Sequence, residues 1–395
     1  MKGCTFKRIL PSGKISWGYV IDAGRDRDGH RKQIFKSGFE LQRDADAELG
    51  RRLNEQREGE LITPDTATFA GFLNEWFREH APRRCTPKTI ERYRQLAAYV
   101  LPDLGQVRIQ ELSALVLERV FNRLKDSGGW DRKASQPRPL SGKTVHHIAG
   151  VVHVIFEKAI KLKVLKVNPM DGVELPPVEP REARALDADQ LTWYLDAARP
   201  HGLYELFMFL AATGARRGEG LALSWPALDL AQGAARISKS LEQTREGLRL
   251  KETKSRRARI ISLPLSLVAL LIAHRAAQQE NRDAFGPDYR TDLDLVFCDP
   301  QGGYLKPDSV SAKACLLARK IGLKGVGLHT LRHSHASQLL SRGVSLPTVS
   351  KRLGHANPYT TATIYSHSLP KDDLAAAELW DGVMKRAAEA SSTTQ

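Results

Sequence analysis

Cysteine is scarce in this chain, and the four that occur are scattered over its whole length: Cys4, Cys85, Cys298 and Cys315. Since none of them pairs at the spacing of a metal site and four are too few for a disulfide framework, the sequence favours a reducing, cytoplasmic compartment. Long apolar runs are missing too, which argues against a membrane span and against a signal peptide at the N-terminus. No G-x-x-x-x-G-K-[ST] motif of a phosphate-binding loop occurs.

Positive charge is what the chain has in excess. Its 60 Lys and Arg outnumber 45 Asp and Glu, giving a formal net charge of +15. Such an excess predicts a polyanionic partner, although a merely solubilising surface has the same composition. With 395 residues, 42% of them hydrophobic, the chain can build the cores of two or three domains.

Residues 1–62 have the pattern of a small basic α+β module. Between positions 2 and 36 there are nine Lys or Arg against three Asp. Alternation at Trp17, Tyr19 and Ile21 predicts a strand, and Asp28-Gly29 predicts a hairpin turn into a second strand. A helical pattern follows from about position 41 to 58. We therefore expect two or three strands and one helix. This module either binds DNA or is an ordinary small α+β domain whose aromatic residues form its core.

Residues 63–173 predict a helical module. Thr86-Pro87 and Ser141 have the residue types that cap helix N-termini, and the segment from 127 to 139 is expected to be a polar loop. Four helices of this kind carry no chemistry by themselves and also suit a protein-binding bundle. The Pro-rich segment 174–182 is expected to be an extended linker.

The third region, residues 183–388, holds the candidate chemistry. Asp187 is expected to cap its first helix. Further on, Arg216 and Glu219 stand at i, i+3, so they share a helix face. Such a pair is by itself no more than a surface ion pair of a few tenths of a kcal/mol. Three strands are expected over 235–242, 248–253 and 259–263, with basic residues around the second turn.

The stretch from Leu328 to His367 contains four candidate site residues, His329, Arg332, His355 and Tyr365, which provide two imidazoles, a guanidinium and a phenol. His329 and Arg332 share a face of one predicted helix, which ends at Gly343. A second predicted helix ends at Gly354, and His355 and Tyr365 follow it. An arginine can neutralise phosphate oxygens, a histidine can hydrogen-bond them, and a tyrosine can act as an oxygen nucleophile. This combination predicts a phosphodiester site.

Two rival interpretations apply to this stretch. His329 and His333 have i, i+4 spacing that suits zinc, but no third ligand lies at motif spacing, so no metal is expected. Tyr359 competes with Tyr365 as nucleophile, but we expect Tyr359 to be a packing residue.

The order and spacing of these fragments resemble the tyrosine recombinases of the phage integrase type. The resemblance rests on ARRGE around Arg216, HTLRH from His329, LGH ending at His355, and the following Tyr365. It implies a multidomain protein that is mainly α with small β-sheets. Residues 1–62 would be an arm-type DNA-binding domain, 63–173 a helical SAM-like core-binding domain, and 183–388 an α+β catalytic domain.

The resemblance also implies a role for each site residue. Tyr365 would attack a DNA phosphate, His329 would accept its proton, and Arg216 and Arg332 would stabilise the pentavalent phosphorane. Glu219 would support Arg216, and His355 would bind a non-bridging oxygen. The general acid would be Lys254, with Lys251 as runner-up. No cofactor is implied.

The implied function is site-specific integration or excision of a mobile element through a 3′-phosphotyrosyl intermediate. The implied partners are double-stranded DNA at core and arm-type attachment sites and three further copies of the chain in a tetramer on DNA. A directionality factor and a host DNA-bending protein are further candidate partners. A topoisomerase would share the chemistry but needs no second DNA-binding module. A DNA-binding regulator with a degenerate site is the alternative from another class.

Overall fold

The computed structural model describes residues 3–25, 31–58, 61–62, 66–131, 134–179, 184–252, 258–365, 380–382 and 384–385. They fall into two compact units, Met1–Pro180 and Arg181–Gln395. The boundary expected between residues 62 and 63 lies inside the first unit and stays a prediction. In the described part of the chain, no helix is long and apolar enough to cross a membrane.

The first unit begins with an antiparallel sheet in the order β1-β2-β3, followed by one helix. These elements are β1 (Gly3–Ile9), β2 (Ile15–Arg25), β3 (Arg31–Phe39) and α1 (Gln42–Arg57). The alternation predicted around Tyr19 is confirmed, because Tyr19 and Ile21 are buried on the face covered by α1, with Ala45. The opposite face exposes Phe35. The Asp28-Gly29 turn lies outside the described residues.

The rest of the first unit is helical. Its elements are α2 (Phe69–Glu75), α3 (Pro87–Ala97), α4 (Leu101–Leu104), α5 (Ala114–Ser127), β4 (Gly129–Asp131), β5 (Gln136–Arg138) and α6 (Gly142–Lys161). The predicted caps are confirmed: Thr86 Oγ1 accepts from the amide of Thr89, and Ser141 Oγ accepts from that of Thr144. The prediction of a plain loop over 127–139 is wrong, since β4 and β5 pair as a short hairpin. The hairpin consists of three paired residues in each strand. Strands this short have no hydrophobic pattern by which the sequence could have predicted them.

The second unit surrounds its core with helices and two small sheets. Its helices are α7 (Ala188–Asp196), α8 (Tyr204–Thr213), α9 (Arg217–Leu221), α10 (Leu265–Phe285), α11 (Pro307–Lys320), α12 (Leu328–Ser341), α13 (Leu346–Leu353) and α14 (Pro358–Tyr365). The buried α8, with Phe207 and Phe209 fully covered, packs against α12. Asp187 caps α7 by accepting from the amide of Gln190, as predicted.

The strands of this unit differ from the prediction in two respects, since the strand Leu228–Asp229 was not expected and one expected strand is divided. They are β6 (Leu228–Asp229), β7 (Ala234–Ile237), β8 (Lys239–Thr244), β9 (Gly247–Glu252) and β10 (Arg259–Ser262). The single strand expected over 235–242 is broken at Ser238, because β7 pairs with β10 whereas β8 pairs with β9. The break lets β8 pack against α9, where a Cβ on Gly218 would lie 2.6 Å from the carbonyl oxygen of Leu241. This packing fixes α9, which begins directly after Arg216.

Candidate active site

Arg332 lies at the centre of the candidate site. It is on α12 and only 2% exposed, and its Nη1 donates to the carbonyl oxygen of Gly214 at 2.7 Å. Burial, followed by the charge of Arg216, lowers the pKa of Arg332 to about 10. Its Nη2 has no hydrogen-bond partner among the described residues. A buried cationic N–H without a partner is costly, and a bound anion would satisfy it.

Arg216 and Glu219 are bonded to each other, but the predicted shared helix face is wrong, because Arg216 is the extended N-cap residue just before α9. One Glu219 oxygen accepts from the Arg216 backbone amide and the other from Arg216 Nη1, both at 2.9 Å. Both bonds are accepted by the carboxylate of Glu219, which satisfies the backbone amide of Arg216, the N-cap residue of α9. The side chain of Arg216 keeps 32% of its surface exposed, so it can still meet a ligand. The neighbouring Arg217 turns away and donates to Ser311 Oγ on α11.

A second arginine, Arg259, also bonds to Glu219, and the sequence did not predict this contact. Arg259, the first residue of β10, donates from Nη2 to one carboxylate oxygen at 2.7 Å and from Nη1 to the other at 3.2 Å. Burial by itself raises the pKa of Glu219, but the hydrogen bond and charge of Arg259, together with Arg216, lower it overall. Strand alternation places Arg259 on the same face as the buried Ile261. Nothing in the sequence showed which of Ile260 and Ile261 faces inward.

His355 follows the end of α13. Its Nδ1 lies 2.7 Å from Thr361 Oγ1 on α14. Burial, with the charges of Arg332 and Arg216, lowers the pKa of His355 to about 4, so the ring is neutral at pH 7. If the hydroxyl of Thr361 donates to Nδ1, the proton is on Nε2, which can then donate to a phosphate oxygen.

His329 stands at the start of α12 with part of its surface exposed. Partial burial, followed by the charges of Arg332 and Arg216, lowers the pKa of His329. A neutral imidazole of this kind can accept a proton. Its ring meets that of His333 edge to face, with centroids 4.7 Å apart. Among the described residues, no group of three or more His, Cys, Asp or Glu is placed to hold a metal.

The two candidate tyrosines have opposite environments. Tyr365 at the end of α14 is 1% exposed and belongs to a small apolar cluster with Leu340, Val349 and Leu353. Burial raises the pKa of Tyr365, and the charge of Arg332 acts in the opposite direction. Tyr359 is 74% exposed, so the expectation that it packs is wrong. It lies in the first turn of α14, where its side chain faces solvent.

Of the two candidate lysines, the structure describes Lys251. Lys254 lies outside the described residues. Lys251 on β9 forms an ion pair with Glu242 on β8, with Nζ 2.5 Å from Oε2. Since Glu242 is 7% exposed, removing Lys251 would leave a buried carboxylate without its cation. Lys251 therefore has a structural partner, which favours Lys254 as the acid.

Arg216, His329, Arg332, His355 and Tyr365 thus form one electrostatic cluster. Arg332 affects the protonation of His329, His355 and Tyr365, and Arg216 affects that of Arg332. The cluster holds more guanidinium groups than carboxylates in the described part of the chain. A phosphodiester would supply the missing negative charge.

Two family models match the chain. The model described as the phage integrase family matches residues 184–372, and the model of the N-terminal SAM-like domain of phage integrases matches residues 68–125. A XerC-like tyrosine recombinase of Caldanaerobacter subterraneus is 26% identical over 93% of this chain and 96% of its own length. The ICEBs1 integrase of Bacillus subtilis is 27% identical over 64% of this chain and 69% of its own length.

Solved structures share the fold. The integrase of the Tn1549 transposon, in complex with transposon right-end DNA, covers 80% of this chain and 99% of its own at 18% identity, with a TM-score of 0.64. A lambda integrase tetramer bound to a Holliday junction covers 93% of this chain and 96% of its own at 16% identity, with a TM-score of 0.54.

Proposed function

This chain belongs to the phage integrase family of tyrosine recombinases, and from that premise we propose how its own residues cleave and rejoin DNA. It is a site-specific recombinase of the kind that integrates or excises a mobile element. The observation that carries the proposal is the partnerless Nη2 of the buried Arg332, which lies within the electrostatic cluster of Arg216, His329, His355 and Tyr365.

The reaction exchanges one phosphodiester for another. Tyr365 Oη attacks the phosphorus, the bond to the 5′ oxygen breaks, and a 3′-phosphotyrosyl bond replaces it. His329 accepts the phenolic proton, directly or through water, and Lys254 gives a proton to the leaving 5′ oxygen. A 5′ hydroxyl from a second duplex then attacks the phosphotyrosine and restores Tyr365. Bond energy is kept throughout, so the exchange needs no external energy source.

We assign stabilisation of the phosphorane to three groups that do not move during the reaction. Arg332 donates from Nη2 and Arg216 from the exposed part of its guanidinium, while His355 donates from Nε2. Because Glu219 and Gly214 already orient the two arginines, little reorganisation is needed when charge develops. Preorganised donors of this kind are worth about 10²- to 10³-fold in rate each.

Access to the nucleophile needs a movement. Tyr365 is covered and its pKa is raised, so the phenol is protonated and shielded when DNA is absent. We place the movement in α14, whose contacts with α13 rest on the small cluster around Leu353.

The remaining roles follow the three-module prediction. Residues 1–62 would bind arm-type sites, residues 63–173 the core site, and residues 183–388 would carry out the chemistry in the cytoplasm. Four copies would assemble on DNA, together with a directionality factor and a host DNA-bending protein. The net charge of +15 supports extensive phosphate contact.

Cleavage of a nicked suicide duplex tests the proposal. The duplex carries the DNA that flanks the gene, and the nick lets the freed end diffuse away so that the covalent complex accumulates. We expect a slow-migrating protein–DNA band on a denaturing gel with the unmodified chain and with Tyr359→Phe, and none with Tyr365→Phe. Equal DNA binding by all three, with a band from Tyr365→Phe, would refute the assignment.

A further inference from the structure

Arg259 is buried beneath the candidate site. Its side chain is 8% exposed, whereas Arg216 keeps 32% of its surface free. All three of its donor nitrogens already bond to groups of the protein itself. It is therefore largely covered, and each of its three nitrogens already has a partner within the protein.

The first contact of Arg259 is with the carboxylate that orients Arg216. It donates to both oxygens of Glu219, which is itself about 1% exposed. A carboxylate this deeply buried is stable as an anion only when paired and hydrogen-bonded. Arg216 alone supplies the backbone amide and one guanidinium N–H. The planar fork of Arg259 completes the set with two parallel bonds, which fix direction as well as charge.

The second contact of Arg259 is with the helix end that carries His355. Its Nε donates to the carbonyl oxygen of Arg352, in the last turn of α13, at 3.0 Å. The chain then passes so close that a Cβ on Gly354 would lie 2.8 Å from Arg259 Nη1. His355 is the next residue. The guanidinium of Arg259 thus bonds both to Glu219, which orients Arg216, and to the backbone three residues before His355.

We propose that Arg259 is a positioning residue that sets the distance between Arg216 and His355 by joining Glu219 to the end of α13. The proposal rests on the roles given above to Arg216 and His355. Without Arg259, Glu219 would still hold Arg216, and Arg352 would still bond α13 to the carbonyl oxygens of Ala212 and Ser262. The direct bonds from the Glu219 carboxylate to a side chain that also bonds the end of α13 would be lost. The two phosphate-binding groups would then lose their fixed separation, while the surface that meets DNA would be unchanged.

Single-turnover cleavage of the suicide duplex, measured beside DNA affinity, tests this. We expect Arg259→Gln to cleave roughly 10- to 100-fold more slowly, since misplacement of reacting groups by about 1 Å can cost 10²-fold. Its DNA affinity should match that of the unmodified chain. Arg259→Lys keeps the positive charge but lacks the planar, two-pronged guanidinium, so its cleavage rate should lie between those of the unmodified chain and Arg259→Gln.

The matched control is Arg290→Gln. Arg290 also pairs with a carboxylate, Asp292, at 2.8 Å, but both side chains are more than half exposed. We expect it to cleave at the unmodified rate. Melting curves of every variant establish that each is folded at the assay temperature.

A double-mutant cycle separates positioning from general damage. If Arg259 acts through Glu219, the double variant Glu219→Gln with Arg259→Gln should cleave about as fast as the slower single variant. Arg259→Gln takes from the buried Glu219 carboxylate one of the two arginines bonded to it, and the double variant removes that charge as well, so the double variant should melt above Arg259→Gln. Losses that multiply would show that Arg259 and Glu219 act separately and would overturn the proposal.

Two further outcomes keep this inference distinct from the proposed function. If Arg216→Gln cleaves normally, the assigned site is wrong. If Arg216→Gln is inactive but Arg259→Gln cleaves at the unmodified rate, only the positioning role fails. A loss of DNA affinity in Arg259→Gln as large as its loss of cleavage would also refute that role.

Discussion

Replacing Gly214 with alanine tests how tightly the helices around the site are packed. Gly214 ends α8 with φ at +66°, in the left-handed region, and its carbonyl oxygen accepts from Arg332. A Cβ there would lie 2.7 Å from Leu353 Cδ2 and 2.8 Å from His335 Cδ2. Gly202 offers a matched control, because its φ is +62° but a Cβ on it would meet nothing within 4 Å.

The two substitutions share one cost and differ in another. Placing alanine in the left-handed region costs about 1–2 kcal/mol at either position. Gly214→Ala adds an overpacking cost of about 1–3 kcal/mol, because Leu353 and His335 must move in a packed core. The total is then about 2–5 kcal/mol for Gly214→Ala. For a unit of this size each kcal/mol lowers the melting temperature by about 2–4 °C.

Scanning calorimetry and suicide-duplex cleavage measure both consequences. We expect Gly214→Ala to melt well below Gly202→Ala and to cleave more slowly, because the displaced carbonyl no longer orients Arg332. Gly202→Ala should cleave at the unmodified rate. Equal melting temperatures for the two variants would refute the argument from packing.

The remaining predictions concern the chemistry, the partner and pH. Arg332→Gln should slow single-turnover cleavage by about 10²- to 10³-fold, as loss of a preorganised donor does; an unchanged rate would remove Arg332 from the mechanism. Lys254→Ala should be rescued by a substrate with sulfur at the bridging 5′ position, since a thiolate leaves without a proton, whereas Lys251→Ala should gain nothing specific from sulfur. DNA affinity should fall with a log–log salt slope of about −0.9 per neutralised phosphate, and a flat response would exclude the phosphate contacts. Burial and Arg352 hold the pKa of His335 at about 4 in the folded chain, below its unfolded value of about 6.5, so stability should fall as pH drops from about 6.5 to 4. His335→Asn should weaken this pH dependence of the unfolding free energy, measured by urea denaturation, and His355, whose pKa is also lowered to about 4, should account for part of what remains.

Local patterns predicted most of what local forces determine. The i, i+3 spacing of Arg216 and Glu219 predicted that they interact, and two hydrogen bonds join them, although Arg216 is the N-cap residue and not part of the helix. Thr86 and Ser141 cap helices as their residue types predicted. These features depend on neighbours within one helical turn, which a single sequence contains.

Features set by distant parts of the chain were not predictable. Arg259 stands among several basic residues, and only the pairing of β10 with β7 turns it towards Glu219, forty positions earlier in the chain. The break at Ser238 follows from the packing of β8 on α9, and the exposure of Tyr359 follows from where α14 meets α13. Each depends on tertiary contacts that have no periodic signature.

The central claim is that Tyr365 forms the bond to DNA, although Tyr359 is far more exposed. The most direct measurement isolates the covalent complex from the suicide duplex, digests protein and DNA, and locates the modified residue by tandem mass spectrometry. The account predicts a 3′-phosphonucleotide on Tyr365 and an unmodified Tyr359 in the same peptide. A nucleotide on Tyr359, or on any residue other than Tyr365, would contradict it.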